Sequence, residues 1–216
     1  MAAPVWGAGG GANGNASSYT ISVTPANSNR VLYGFVTRAN TTAASSVVFN
    51  TTETMTLIAS GTYNGAAAGW WVYRLIAPTA TTANVVFTFG AAANGKATAF
   101  WYYDVDQTTP NGTEDEAEGS GTAVQNTFAS AVGETAIAMV SHISTSTHTE
   151  VSGETERLDP STSDNALYEL AGDTSLSFDV TLGTSRAWVC VCLSLKPVAG
   201  GAATIAYRRS LLGVGP

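Results

Sequence analysis

Apolar positions in this chain come in short runs, β-branched or aromatic, and the runs are separated by clusters of Gly, Asn, Ser and Thr. Helical periodicity is nearly absent, and breakers interrupt every stretch long enough for a helix. The pattern predicts strands over 19–23, 30–38, 45–50, 55–60, 69–77, 83–89 and 96–104. A second series follows over 134–143, 154–159, 166–170, 175–182 and 186–195. In SLSFDVTL, Leu176, Phe178 and Val180 share one face while Ser177 and Asp179 take the other, the alternation of a half-buried strand. Two segments depart from it. RAWVCVCLSL is apolar on both faces and ATAFWYY nearly so, which places them mid-sheet or with the outer face covered by a partner.

The two series resemble each other. Each ends on a strong, aromatic-led strand entered from a short turn, A-N-G-K in one case and G-T-S-R in the other. Repetition of this kind predicts two similar halves of five to six strands, neither able to close a core alone, facing one another. The fold class expected is therefore all-β, an antiparallel two-sheet sandwich of jelly-roll-like type. Side-by-side immunoglobulin-like domains are the other arrangement compatible with the pattern. The expected organisation is an N-terminal arm (1–18), a sandwich domain (19–196) with halves 19–110 and 121–196 joined by an acidic linker (111–120), and a C-terminal arm (197–216).

Composition narrows what such a fold can do. Charged residues make up 12% of the chain, about half the usual ~25%, and hydroxyl and small residues take their place. The net charge of −7 is unevenly spread. Residues 1–103 hold Arg30, Arg38, Arg74 and Lys96 against Glu53 alone, and almost all the acids follow. No basic stripe exists to neutralise phosphates, so nucleic acid is not an expected partner. No apolar run approaches the ~18 residues of a membrane span, and the N-terminus lacks the basic and apolar regions of a signal peptide. Neither a membrane nor a secretory route is expected.

The candidate chemistry is sparse. D-V-D-Q-T (104–108) matches the D-x-D-x-T spacing of phosphotransferase nucleophile and acid pairs, but those sit in a doubly wound α/β fold that this chain lacks the helices to build. With Q-T-T-P-N-G following, the stretch reads as a strand end running into a turn. The acidic run Glu114–Glu118 suggests hard-cation ligands, yet its spacing fits no calcium loop and it reads as a solvated linker. His142 and His148 read as solvated loop residues, and Cys190 and Cys192 as buried thiols rather than a metal site or a mutual disulfide. No nucleophile elbow, phosphate loop or dinucleotide fingerprint occurs. No catalytic residue, cofactor or metal is expected. What the arms carry is different: Trp6 in one, and Ile205, Tyr207, Arg208, Arg209, Leu211 and Leu212 in the other, have nothing local to bury them. They are the candidate interface residues.

The series VLYGFVTRAN, MTLIASGTYNG, WWVYRLIAPTATTANVVFTF and AFWYYDVDQTTP, over residues 30–110, resembles a β-sandwich domain of tailed-phage virion proteins and bacterial surface proteins. It departs from that pattern at the exit, where YYDVD stands in place of a glycine. The resemblance implies a structural or adhesive role and carries no catalytic residues. The expected function is a non-enzymatic virion protein, a capsid decoration or cement protein, assembled in the host cytoplasm. Its partners would be a major capsid or tail protein and copies of itself. The alternative is a glycan-binding module of a tail fibre or cell surface, using outward aromatics from Trp70-Trp71, Trp101-Tyr102-Tyr103 or Trp188.

Overall fold

The computed structural model describes residues 2–144, 146–151, 153–158 and 165–199. The first half comprises β1 (Val5–Val23), β2 (Val31–Arg38), β3 (Ser46–Phe49), β4 (Glu53–Thr54), β5 (Thr56–Tyr63), β6 (Ala68–Ile76) and β7 (Ala83–Tyr103). The second comprises β8 (Asn111–Phe128), β9 (Thr135–His142), β10 (His148–Glu150), β11 (Thr155–Leu158), β12 (Asn165–Ala171) and β13 (Leu176–Leu195). Each half forms one antiparallel sheet. The orders are β4-β3-β7-β2-β6-β5, with β1 on the far edge of β7, and β10-β13-β9-β12-β11, with β8 on the far edge of β13. Apart from the two-residue β4, the second order repeats the first strand for strand. Registers repeat as well. Tyr33 pairs with Phe100 as Ile137 pairs with Leu193, and Thr37 pairs with Lys96 and Trp70 as Ser141 pairs with Val189 and Asn165.

The long strands are shared between two layers of their own half. β7 pairs with β3 through Val85–Thr88 and with β2 through Gly95–Tyr102. Between those stretches the chain folds over, and the β1–β7 register shifts there, between Ala16 and Ser18. Phe87 and Phe89 from one limb then meet Leu32, Val36, Ala99 and Trp101 from the other in a core private to the first half. Gly34 faces the Phe87 ring: a Cβ there would lie 2.8 Å from Cζ of Phe87, so any larger residue would displace the ring. The second half repeats the device with Phe178, Val180 and Leu182 against Cys190, Cys192 and Trp188. The expectation that neither half closes a core alone is therefore corrected. The stretches A-N-G-K and G-T-S-R, read as short turns before strands, lie inside single bent strands, because a paired ladder on both limbs satisfies the backbone that the residue types leave weakly specified.

The opposite faces of the same central strands make the sandwich. Val31, Tyr33, Phe35, Trp70, Val72, Phe100 and Tyr102 pack on Ile137, Met139, Leu167, Val189, Val191 and Leu193 in a shared core between the halves. All eight residues of β2 and all eight of β9 are buried for this reason. One face lies in the private core and the other in the shared one. At roughly 1.5–3 kcal/mol for each large side chain fully buried, the shared core ties the halves together strongly. It also identifies the partner that covers the outer face of ATAFWYY, namely the second half of the same chain.

Two segments differ from expectation. Residues 5–18 do not form a free arm but belong to β1, pairing with β7 along most of its length. Residues 111–120 are not a linker but the start of β8, with Glu114, Asp115, Glu116 and Glu118 opposite Leu193, Cys192, Val191 and Val189. The physical cause is the same in both. A mid-sheet strand such as β7 or β13 has two edges to satisfy, and these segments supply the second ladder regardless of their glycine or charge content. The chain passes from one half to the other through 104–110.

Candidate functional site: the seam between the halves

A set of buried polar groups lies along the seam. At its centre Thr37 Oγ1 and Ser141 Oγ lie 2.8 Å apart, fully buried. They occupy equivalent positions in β2 and β9, so the two repeats meet at matching residues. Thr37 also donates weakly to Oδ1 of Asn165 at 3.5 Å. Tyr63 closes over this pair, and burial raises its hydroxyl pKa above the ordinary value despite the Thr37 and Ser141 contacts.

Two polar clamps lie to either side. Tyr102 donates to Oε2 of Glu169 at 2.8 Å, and Glu169 is held by a two-pronged contact from Arg157 at 2.7 and 3.1 Å. Burial first, and the Glu169 carboxylate second, push the Tyr102 hydroxyl well above its ordinary range. In the other clamp Arg74 donates to Oδ1 of Asn111 at 2.6 Å, and Nδ2 of Asn111 donates to the Tyr33 hydroxyl at 3.1 Å. Tyr33 is wholly buried, and desolvation raises its pKa more than the Asn111 and Arg74 contacts lower it.

The seam opens into two clefts. The larger, about 370 Å³, is lined by both halves, including Asn13, Thr37, Arg38, Tyr63, Lys96 and His142. Its cations hold backbone. Lys96 Nζ donates to the carbonyl oxygens of His142 and Ser144, the latter at 2.8 Å, and Arg38 donates to Ala16 and Ala91 at 3.1 and 2.8 Å while lying 3.9 Å above the Phe89 ring. The smaller cleft, about 260 Å³, has a floor of Trp70 and Val191 and a rim of Glu114, Asp115 and Glu116. Burial and the neighbouring Glu118, Asp115 and Glu114 raise the Glu116 pKa.

The motifs singled out in the sequence take definite places. Asp106 Oδ1 accepts from the backbone N–H of Thr108 and Thr109 at 2.7 and 2.8 Å, which closes the turn and lowers its pKa. Asp104 has φ 57° and its carbonyl accepts from Val198 at 3.0 Å. D-V-D-Q-T thus ends β7 and ties it to the end of β13 through the Val105–Pro197 bridge. His142 is not a solvated loop residue, because β9 carries it into the interior, where its ring lies 4.9 Å from that of His148. Cys190 and Cys192 are free thiols in the second private core with sulfurs 3.9 Å apart, and burial, then Cys190, raises the Cys192 pKa. Among the described residues no cluster of three His, Cys, Asp or Glu side chains is arranged to hold a metal ion.

Of the candidate interface residues, Trp6 packs within its own chain, its ring 6.3 Å from Phe100 and 5.4 Å from Tyr102. Ile205, Tyr207, Arg208, Arg209, Leu211 and Leu212 lie outside the described residues. Trp70, Trp71, Trp101 and Trp188 are all buried. All four lie against glycines: an added Cβ at Gly61, Gly69, Gly7 or Gly119 would come within 2.7, 2.5, 2.3 and 2.6 Å of the rings of Trp70, Trp71, Trp101 and Trp188. The seam pair Thr37–Ser141 was not singled out in the sequence. Its only signal there is a polar residue at the same place in two otherwise apolar repeats, VLYGFVTR and TAIAMVSH. No protein family, curated protein or solved structure matches this chain.

Proposed function

We propose that the chain is a non-enzymatic structural protein of a tailed-phage virion, a capsid decoration protein that stabilises the shell. In this reading the double sandwich is a rigid body resting on the shell. The apolar and basic residues of the C-terminal segment, Tyr207, Arg208, Arg209, Leu211 and Leu212, contact the neighbouring shell subunits. Tethering these modest contacts to one body makes their sum strong. The observation that carries the proposal is where the chemistry-bearing side chains are engaged. Lys96, Arg74, Tyr102, Glu169, Thr37 and Ser141 brace the seam between the halves, as suits a module selected for rigidity. The resemblance over residues 30–110 supports the same class. The glycan reading needs an exposed aromatic platform, and the buried tryptophans of the two halves do not supply one.

The test is co-sedimentation with particles of the parent phage that lack the protein. The full chain is expected to bind saturably, and a chain ending at Ala199 to lose binding while keeping its thermal transition. Failure of the full chain to bind any particle of that phage would overturn the proposal. Undiminished binding by the shortened chain would remove the C-terminal segment from it.

A further inference from the structure

β1 and β8 occupy the same place in the two halves, each pairing on one side only among the described residues, β1 with β7 and β8 with β13. Their free edges are opposite in character. The matched registers set Gly9, Gly10, Gly11 and Asn13, paired with Phe100, Ala99, Thr98 and Lys96, against Glu114, Asp115, Glu116 and Glu118, paired with Leu193, Cys192, Val191 and Val189. β8 therefore carries acids where they deter strand addition, a common protection of exposed edges. β1 has no charged residue and no proline from Val5 to Val23. Within one fold, the guarded edge serves as an internal control for the unguarded one.

We infer that the Ala8–Asn13 edge of β1 is an interaction surface for a second copy of this chain, pairing antiparallel with its β1 across a two-fold axis. The occupant follows from charge and shape. Self-pairing of β1 brings no like charges together, and its glycines and alanines let two backbones approach on both faces. Self-pairing of β8 would set carboxylates against carboxylates. An antiparallel pair of identical strands closes on itself, so the product is a discrete dimer and not a filament. Toward the bend the edge is already engaged, since the Gly14 carbonyl accepts from Tyr19 and the Ala16 carbonyl from Arg38. The available ladder therefore ends near Asn13. This pairing gives a definite form to the copies of itself expected as a partner from the sequence, and it is measured in solution without any particle, so it and the proposed function can each fail alone.

The experiment is sedimentation equilibrium of the full chain across the micromolar range, with hydrogen exchange read by peptide. A monomer–dimer equilibrium is expected, with amides of Ala8–Asn13 gaining protection as concentration rises. Gly11→Glu with Asn13→Glu, which copies the β8 acids onto exposed β1 positions, is expected to weaken dimerisation by roughly tenfold or more with the thermal transition retained. A chain that stays monomeric throughout the range would overturn the inference. So would a dimer that the double variant leaves intact, or one abolished by Leu211→Asp with Leu212→Asp while the β1 amides show no change with concentration.

Discussion

The two halves of this protein follow one plan with different materials. Both fold a long hairpin over itself around a private core, and both contribute one sheet face to a shared core. The first half fills its cores with aromatics, Tyr33, Phe35, Trp70, Phe87, Phe100, Trp101 and Tyr102, and sets glycines where rings need room. The second uses smaller groups at the matching places: Ile137 for Tyr33, Met139 for Phe35, Leu193 for Phe100 and Leu195 for Tyr102. In the shared core the bulky rings of one sheet meet the slimmer side chains of the other. The halves have thus become complementary, and each now depends on its partner's shape as well as its own.

That dependence can be broken most severely at Phe100. Phe100→Ala removes a fully buried ring from the shared core and is expected to cost about 3–5 kcal/mol. Hydrogen exchange should show lost protection in β9 and β12 as well as in β2 and β6. Wild-type protection throughout the second half would refute the mutual dependence. Phe49→Ala, in the private core of the first half, is the matched control, with its effect concentrated in that half.

Alkali should strike the aromatic half next. The buried hydroxyls of Tyr33 and Tyr102 have pKa values raised above that of an unfolded tyrosine, so the folded state holds its protons longer than the unfolded one. Their contribution is intact below about pH 10 and is lost as pH rises beyond it, by about 1.4 kcal/mol per pH unit for each. Urea titrations at stepped pH should show this limb, and Tyr33→Phe or Tyr102→Phe should flatten it.

At the centre of the seam, Thr37→Val deletes the hydroxyl that meets Ser141, for an expected loss of about 1–3 kcal/mol from a buried group left without its partner. Replacing both residues, Thr37→Val with Ser141→Ala, should cost less than the two single changes added together. Additive effects in that cycle would show that the pair does not couple the halves. The smallest effect is expected at the acidic edge. Glu116→Gln relieves crowding by Glu114, Asp115 and Glu118 at an exposed position and should leave stability unchanged or raised within about 0.5 kcal/mol. A clear loss would show that the acids brace the fold as well as guarding its edge.

Much of this architecture was legible in advance. Alternation in SLSFDVTL and two-sided apolarity in RAWVCVCLSL gave the strands and placed the latter mid-sheet, because burial on one face or two leaves a direct imprint on side-chain type. The repeat gave two facing halves. Residues 5–18 and 111–120 were misread for the opposite reason. Glycine-rich and acidic segments carry little hydrophobic imprint when their strand stands at an edge and is held chiefly by a backbone ladder. The candidate site was less visible still, since Thr37 and Ser141 lie 104 positions apart and nothing local marks either as a meeting point.

By itself, then, the sequence determined the all-β class, the duplicated plan and the turn at Asp104–Thr109, because those rest on local backbone preference and on the period of burial. Only the tertiary structure decided that each half closes its own core, that the outer face of FWYY is covered by the second half, and that β1 and β8 are edge strands. These depend on which distant segment completes a ladder or fills a volume, and that choice is made by the whole chain at once.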